Sequence, residues 1–102
     1  MYQLFISDKP NKKYVVKYND GNKDKYIYFG DTRYQDYTTH HDLYRKEKYI
    51  NRHKKEDWID LHKAGTWARY ILWNKPTIKQ SILDMEKLFN IKILLNKSIK
   101  KT

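Results

Sequence analysis

The tetrapeptide Asn19-Asp20-Gly21-Asn22 constrains this chain most. It lies between two runs rich in Tyr, Val, Ile and Phe, Lys13–Tyr18 and Lys25–Phe29. An Asp-Gly pair in that setting predicts a β-hairpin, because tight hairpin turns need positive φ at their central positions. A two-residue loop at Asp20-Gly21 sets Lys17 opposite Asp24 and Val15 opposite Tyr26; a four-residue loop keeps the same faces. Tyr14, Val16, Tyr18, Ile27 and Phe29 then form one face, expected to be core. Lys13, Val15, Lys17, Asp24, Tyr26 and Tyr28 form the other, a Lys–Tyr surface on which rings can stack on bases and Lys can neutralise phosphates.

The remaining punctuation is sparse, with three Gly and two Pro in the chain. Tyr2–Ile6 reads as a short strand, Ser7–Lys12 as a loop, and the aperiodic segment Asp31–His41 as a second loop. Asp42 can cap a helix over Leu43–Lys55. Gly65 and Thr66 open an apolar helix, Trp67–Trp73, which Pro76 ends. Thr77 and Gln80 have capping-box spacing, and Ile78, Ile82, Met85 and Phe89 share one face of the helix that follows, ending near Asn90. Ile91, Ile93 and Leu95 form a last strand, expected beside Tyr2–Ile6. The order β-β-β-α-α-α-β predicts an α+β fold: a small antiparallel sheet of the N-terminal strands, the hairpin and the C-terminal strand, with three helices packed on one face. Ile78, Ile82, Met85, Phe89, Ile71, Leu72 and Phe29 are expected in one core, Trp67 and Trp73 with them. Residues 1–95 are expected to form a single domain and 96–102 a basic tail. The 102 residues suffice for one such core.

Composition narrows the chemistry. The chain has no Cys, which excludes thiolate metal sites, disulfides and thiol nucleophiles. It has no apolar run long enough for a membrane span, and its first residues, Met1–Asp8, do not read as a signal peptide. No membrane association is expected, and the setting is expected to be intracellular. The formal net charge of +10 favours a polyanionic partner. Of the 22 basic residues 18 are Lys, an excess that AT-rich codons also produce. The distribution of the Arg residues is more telling. Arg45, Lys48, Arg52 and Lys55 fall at i, i+3, i+7 and i+10 of the helix after Asp42, with Tyr49 beside the stripe and Glu47 the one acid between Leu43 and Lys55. Leu43 and Ile50 mark the side expected to face inward. Together with Lys13, Lys17, Tyr26 and Tyr28 of the hairpin, the stripe is the candidate nucleic-acid surface.

The other candidates are weaker. His40-His41, Asn51 and His62 follow the order of a His-Asn-His nuclease but not its spacing, so no catalytic residue, metal or cofactor is expected. Arg69, alone among apolar neighbours, either pairs with an acid such as Asp57 or Asp60, which is the favoured expectation, or surfaces beside the basic helix.

A longer pattern runs through the chain: Phe29-Gly30, Tyr34-Gln35-Asp36-Tyr37-Thr38, His40, Asp42, Arg45-Lys46, Tyr49, Arg52-His53, Trp58, Ala64-Gly65, Trp67, Arg69, Leu72-Trp73-Asn74-Lys75-Pro76-Thr77, Ser81, Asp84 and Ile91-Lys92-Ile93. It resembles an uncharacterised family of small basic proteins encoded by large nucleocytoplasmic DNA viruses, the algal and amoebal giant viruses. The resemblance covers about Phe29–Ile93. It implies a viral source, hence an infected cell's viral factory or nucleus, or the virion interior, and it supplies no catalytic residues. The polar run from Tyr34 to Asp42 is either a hydrogen-bonded loop that fixes the basic helix or a recognition loop. The expectation is a non-enzymatic nucleic-acid-binding protein of DNA packaging or the virion core, with double-stranded DNA favoured and RNA the other choice. A capsid or scaffold protein that binds other viral structural proteins is the alternative.

Overall fold

The computed structural model describes residues 1–100. Strands β1 (Tyr2–Ile6), β2 (Lys12–Asn19) and β3 (Asp24–Asp31) come first. Then follow helices α1 (Tyr37–His40), α2 (Leu43–His53), α3 (Ala64–Trp67), a π-helical stretch (Ala68–Leu72), α4 (Ile78–Phe89) and strand β4 (Ile93–Ile99). The fold is α+β, as the periodicities imply.

The hairpin forms with the four-residue loop. Asn19 pairs with Asp24, Lys17 with Tyr26 and Tyr14 with Phe29, so the two predicted faces survive. Asp20 Oδ1 accepts from the backbone N–H groups of Asn22 and Lys23, and Gly21 takes φ 102°. The turn is thus closed by a side chain as well as by the backbone.

The sheet order is β3-β2-β1-β4. β4 lies beside β1 as expected, but the pair is parallel, so the sheet is mixed rather than wholly antiparallel. The reason is directional. β3 runs the same way as β1, and the helical segment carries the chain back to the end where Tyr2 meets Ile93. β4 also runs to Ile99, beyond the Leu95 end expected, and Lys100 N donates to the Ile6 carbonyl at 3.0 Å. Its apolar alternation stops at Leu95, but β1 satisfies the backbone of the later residues whatever their side chains. Most of the expected basic tail is therefore strand; Lys101 and Thr102 lie outside the described residues.

The core sits between one sheet face and the C-terminal helices. Leu4, Val16, Ile27, Phe29 and Ile93 meet Trp67, Ile71, Leu72, Ile82 and Met85, with Ile78 and Phe89 packed at the margin. All seven residues expected in one core belong to it. α4 is capped as predicted: Gln80 N donates to Thr77 Oγ1 at 3.2 Å, and Asn90 ends the helix in the left-handed region. Trp67 is in the core, its indole N–H donating to the Leu61 carbonyl, whereas Trp73 is half-buried.

Two local findings position the site. Asp31–His41 is not all loop: Asp36, buried, caps the short helix α1 by accepting from Thr38 N. Asn74, also buried, donates to Asp84 Oδ2 at 2.8 Å, and Ser81 Oγ accepts from Lys75 N, pinning the turn between the π-helical stretch and α4. The segments Asp36-Tyr37-Thr38 and Leu72–Thr77 thus carry capping and turn chemistry.

Candidate nucleic-acid interface

α2 begins at Asp42, whose carboxylate accepts from Tyr44 N and Arg45 N. It ends at His53, where Glu56 N turns back to the His53 carbonyl and the Glu56 carboxylate pairs with the His53 ring. Lys55 therefore lies past the helix and does not extend the stripe. Arg45, Lys48 and Arg52 remain, all exposed, over about 10 Å of helix at ~1.5 Å per residue.

The helix is turned about its axis relative to expectation. Leu43 is exposed and Ile50 half-buried, while Tyr49 and Lys46 take the inward side. Tyr49, only 8% exposed, stacks on Trp73 with ring centroids 4.4 Å apart and planes 2° from parallel. Burial, reinforced by the Glu56 charge, pushes its hydroxyl up to about 12. Lys46 Nζ donates to the Asn74 carbonyl at 2.6 Å, and burial lowers its pKa. Tyr49 is therefore an anchor of the helix, and it is not free to stack on a base as the sequence suggested. A large ring with a flat partner wins the inward position over Leu43, which has no such partner.

This rotation places the cationic face on a cleft of about 930 Å³. Arg45, Lys48 and Arg52 line it from α2, Gly30 and Asp31 from the end of β3, Tyr34 and Asp36 from the loop that follows, and Leu72 and Trp73 from the π-helical side. Gly30 makes the junction. Its φ is 83°, and a Cβ there would lie 2.8 Å from Leu72 Cδ1. Both carboxylates of the cleft are occupied. Asp36 Oδ2 accepts from Lys13 Nζ at 2.6 Å, and Arg33 holds Asp31 through two donors, which keeps that carboxyl down at about 2. Among the described residues no carboxylate lies within ion-pair distance of Arg45, Lys48 or Arg52.

Of the hairpin candidates Lys13 alone lines this cleft, and it is committed to Asp36. Lys17 sits 3.7 Å from Asp24. Tyr26 lies under Lys100, whose Nζ is 4.6 Å from the ring centroid, and Tyr28 lies under Lys9 while donating to Asp8 at 2.7 Å. Val15, between them, is fully buried although it points away from the helices. The predicted Lys–Tyr face is thus partly packed, with a Lys over each of the two rings and Tyr26 still 43% exposed.

Tyr34, Asn51 and His53 also line the cleft and were not among the predicted binding residues. Of these, Tyr34, at 64% exposed, presents a large ring, with the Arg33 guanidinium 5.5 Å from its centroid. The cue for it was the polar–aromatic run after Gly30. The nuclease constellation is dispersed. His40 packs on Trp73, burial lowers its pKa, and it accepts from Asp42 N. His62 instead stacks on Tyr18 of the hairpin and pairs with Asp60. Among the described residues no three His, Asp or Glu side chains gather as metal ligands, and no helix is long and apolar enough to cross a membrane. Arg69 corrects another expectation. It donates to the Trp73 carbonyl at 2.8 Å and lies over the Trp58 and Tyr70 rings, 5.4 and 5.1 Å away, instead of pairing with Asp57 or Asp60. In a half-buried aromatic setting the weakly hydrated guanidinium finds ring faces without an acid.

In comparisons with known proteins, a family of unknown function, DUF5754, matches residues 2–53. No curated protein and no solved structure matches the chain. The matched segment contains the three meander strands, α1 and α2, and so one wall and the β3 end of the cleft, but not the π-helical side. The chain belongs to the DUF5754 family.

Proposed function

We propose that this member of the DUF5754 family is a non-enzymatic nucleic-acid-binding protein that holds the phosphate backbone by charge, with little sequence preference. The observation that carries the reading is the row Arg45, Lys48 and Arg52, lining a cleft with no carboxylate in ion-pair distance among the described residues, Lys48 lying over the Tyr44 ring at 4.9 Å, on a chain of net charge +10. Arg in such rows suits phosphate, because its planar fork donates in pairs. A role in viral DNA packaging or a virion core follows only from the resemblance to small basic proteins of large DNA viruses, and is proposed with it.

Binding of this kind is salt-dependent. Replacing Arg45 and Arg52 by Glu weakens binding far more than replacing Lys79 and Lys87, exposed on α4, by Glu. The first pair also flattens the log–log salt dependence by about one unit per lost contact. Titrations of both variants against DNA and RNA at two salt levels check this. If the folded Arg45→Glu/Arg52→Glu protein binds like the parent, α2 is not the contact. If the parent does not bind at ~0.1 M salt, the alternative takes over. That alternative is a structural protein of the capsid or a scaffold.

A further inference from the structure

We propose that the cleft takes a single strand of nucleic acid rather than a duplex, with Tyr34 as the stacking platform and Arg45, Lys48 and Arg52 as the phosphate track. The inference rests on the nucleic-acid reading and narrows it. A helix enters a duplex major groove, about 12 Å wide, only when its reading face stands clear of the rest of the protein. Here that face shares a concave space with the β3 end and the Tyr34 loop. The space of about 930 Å³ is of the size that holds small ligands, ≈ 300–1,000 Å³, which suits a short stretch of strand with its bases turned out.

The chemistry of the two walls is complementary in the same sense. Sequence-tolerant single-strand binding combines a cationic groove with exposed rings, because every base has a π face and every nucleotide a phosphate. The cations come from α2. The ring is Tyr34: its N–H donates to the Asp31 carbonyl, which fixes the turn that carries it, and Arg33, paired with Asp31, lies over the ring 5.5 Å from its centroid. Asn51, exposed on α2 and also lining the cleft, can donate to and accept from a base edge. Asp31 and Asp36 do not oppose the strand as free charges, since Arg33 and Lys13 already neutralise them.

The test measures the affinity of the full chain for short oligothymidylate, oligouridylate and a DNA duplex of equal length, each at two salt levels. The inference expects at least one single strand to bind more tightly than the duplex; which of the two does so separates DNA from RNA. It also expects Tyr34→Ala to weaken single-strand binding roughly tenfold with an unchanged salt slope, since a stack and no phosphate is lost. Tyr34→Phe should keep parental affinity. Equal or tighter duplex binding, with Tyr34→Ala silent while Arg45→Glu/Arg52→Glu weakens binding, overturns the inference and leaves the nucleic-acid reading standing. Failure of the parent to bind any of the three overturns both.

Discussion

At the scale of residues, a few positions decide how the site is put together. Gly30 is the clearest. β3 passes so close to Leu72 that a Cβ would push on the Leu72 methyl 2.8 Å away, and the backbone lies in the left-handed region as well. Gly21 shares the positive φ but has nothing within 4 Å of a built Cβ. Gly30→Ala should therefore cost about 2 kcal/mol or more, from backbone strain together with displacement of Leu72, and Gly21→Ala only about 1 kcal/mol from strain alone. Urea midpoints of the two variants check this, and equal losses would mean that the Leu72 contact relaxes freely. Asp36 acts at the same scale: one buried carboxylate caps α1 and neutralises Lys13, so a residue at the rim of the cleft serves two elements.

At the scale of elements, α2 is anchored by the Tyr49–Trp73 stack and by Lys46 on the Asn74 carbonyl. Tyr49 lies flat on Trp73, and together the two anchors set which face of the helix is exposed. The stack makes a pH prediction whose sign is fixed by burial. The folded state raises the Tyr49 hydroxyl from 10.0 to about 12, so it favours the neutral form. The resulting stability is complete below pH 10 and is lost as pH rises toward 12. Thermal unfolding followed across that range should show a steeper alkaline loss in the parent than in Tyr49→Phe, which keeps the ring. Identical alkaline limbs would show that the hydroxyl is solvated and the stack looser than drawn.

At the scale of the whole molecule, the family match and the folding unit differ. The match ends at residue 53, while the core of the sheet is completed by Trp67, Ile71, Ile82 and Met85 and its fourth strand begins at Ile93. A fragment of residues 1–54 keeps the meander and α2 but loses the layer that covers Leu4, Val16 and Phe29. It should show no cooperative thermal transition, whereas the full chain should unfold in one. A cooperative melt of the fragment would mean that the meander is stable without its helices. For the cleft the consequence is the same: its π-helical wall comes from the half of the chain outside the match, so the family segment alone does not build it.

Local chemistry was readable from the chain itself. The hairpin faces, the Asp42 and Thr77 caps, the α4 stripe and the seven core residues each depend on a few neighbours in sequence, and periodicity records them. The α+β class followed from their order. What the chain did not show was set by partners far along it. The direction of β4 depended on the route of the helical return. The orientation of α2 depended on a stack between Tyr49 and Trp73, and the fate of Lys13 on a carboxylate 23 residues away. A helical wheel shows which side chains share a face and not which face wins the interior. That choice belongs to long-range packing, which turned Tyr49 inward and left Arg45, Lys48 and Arg52 on the wall of a cleft.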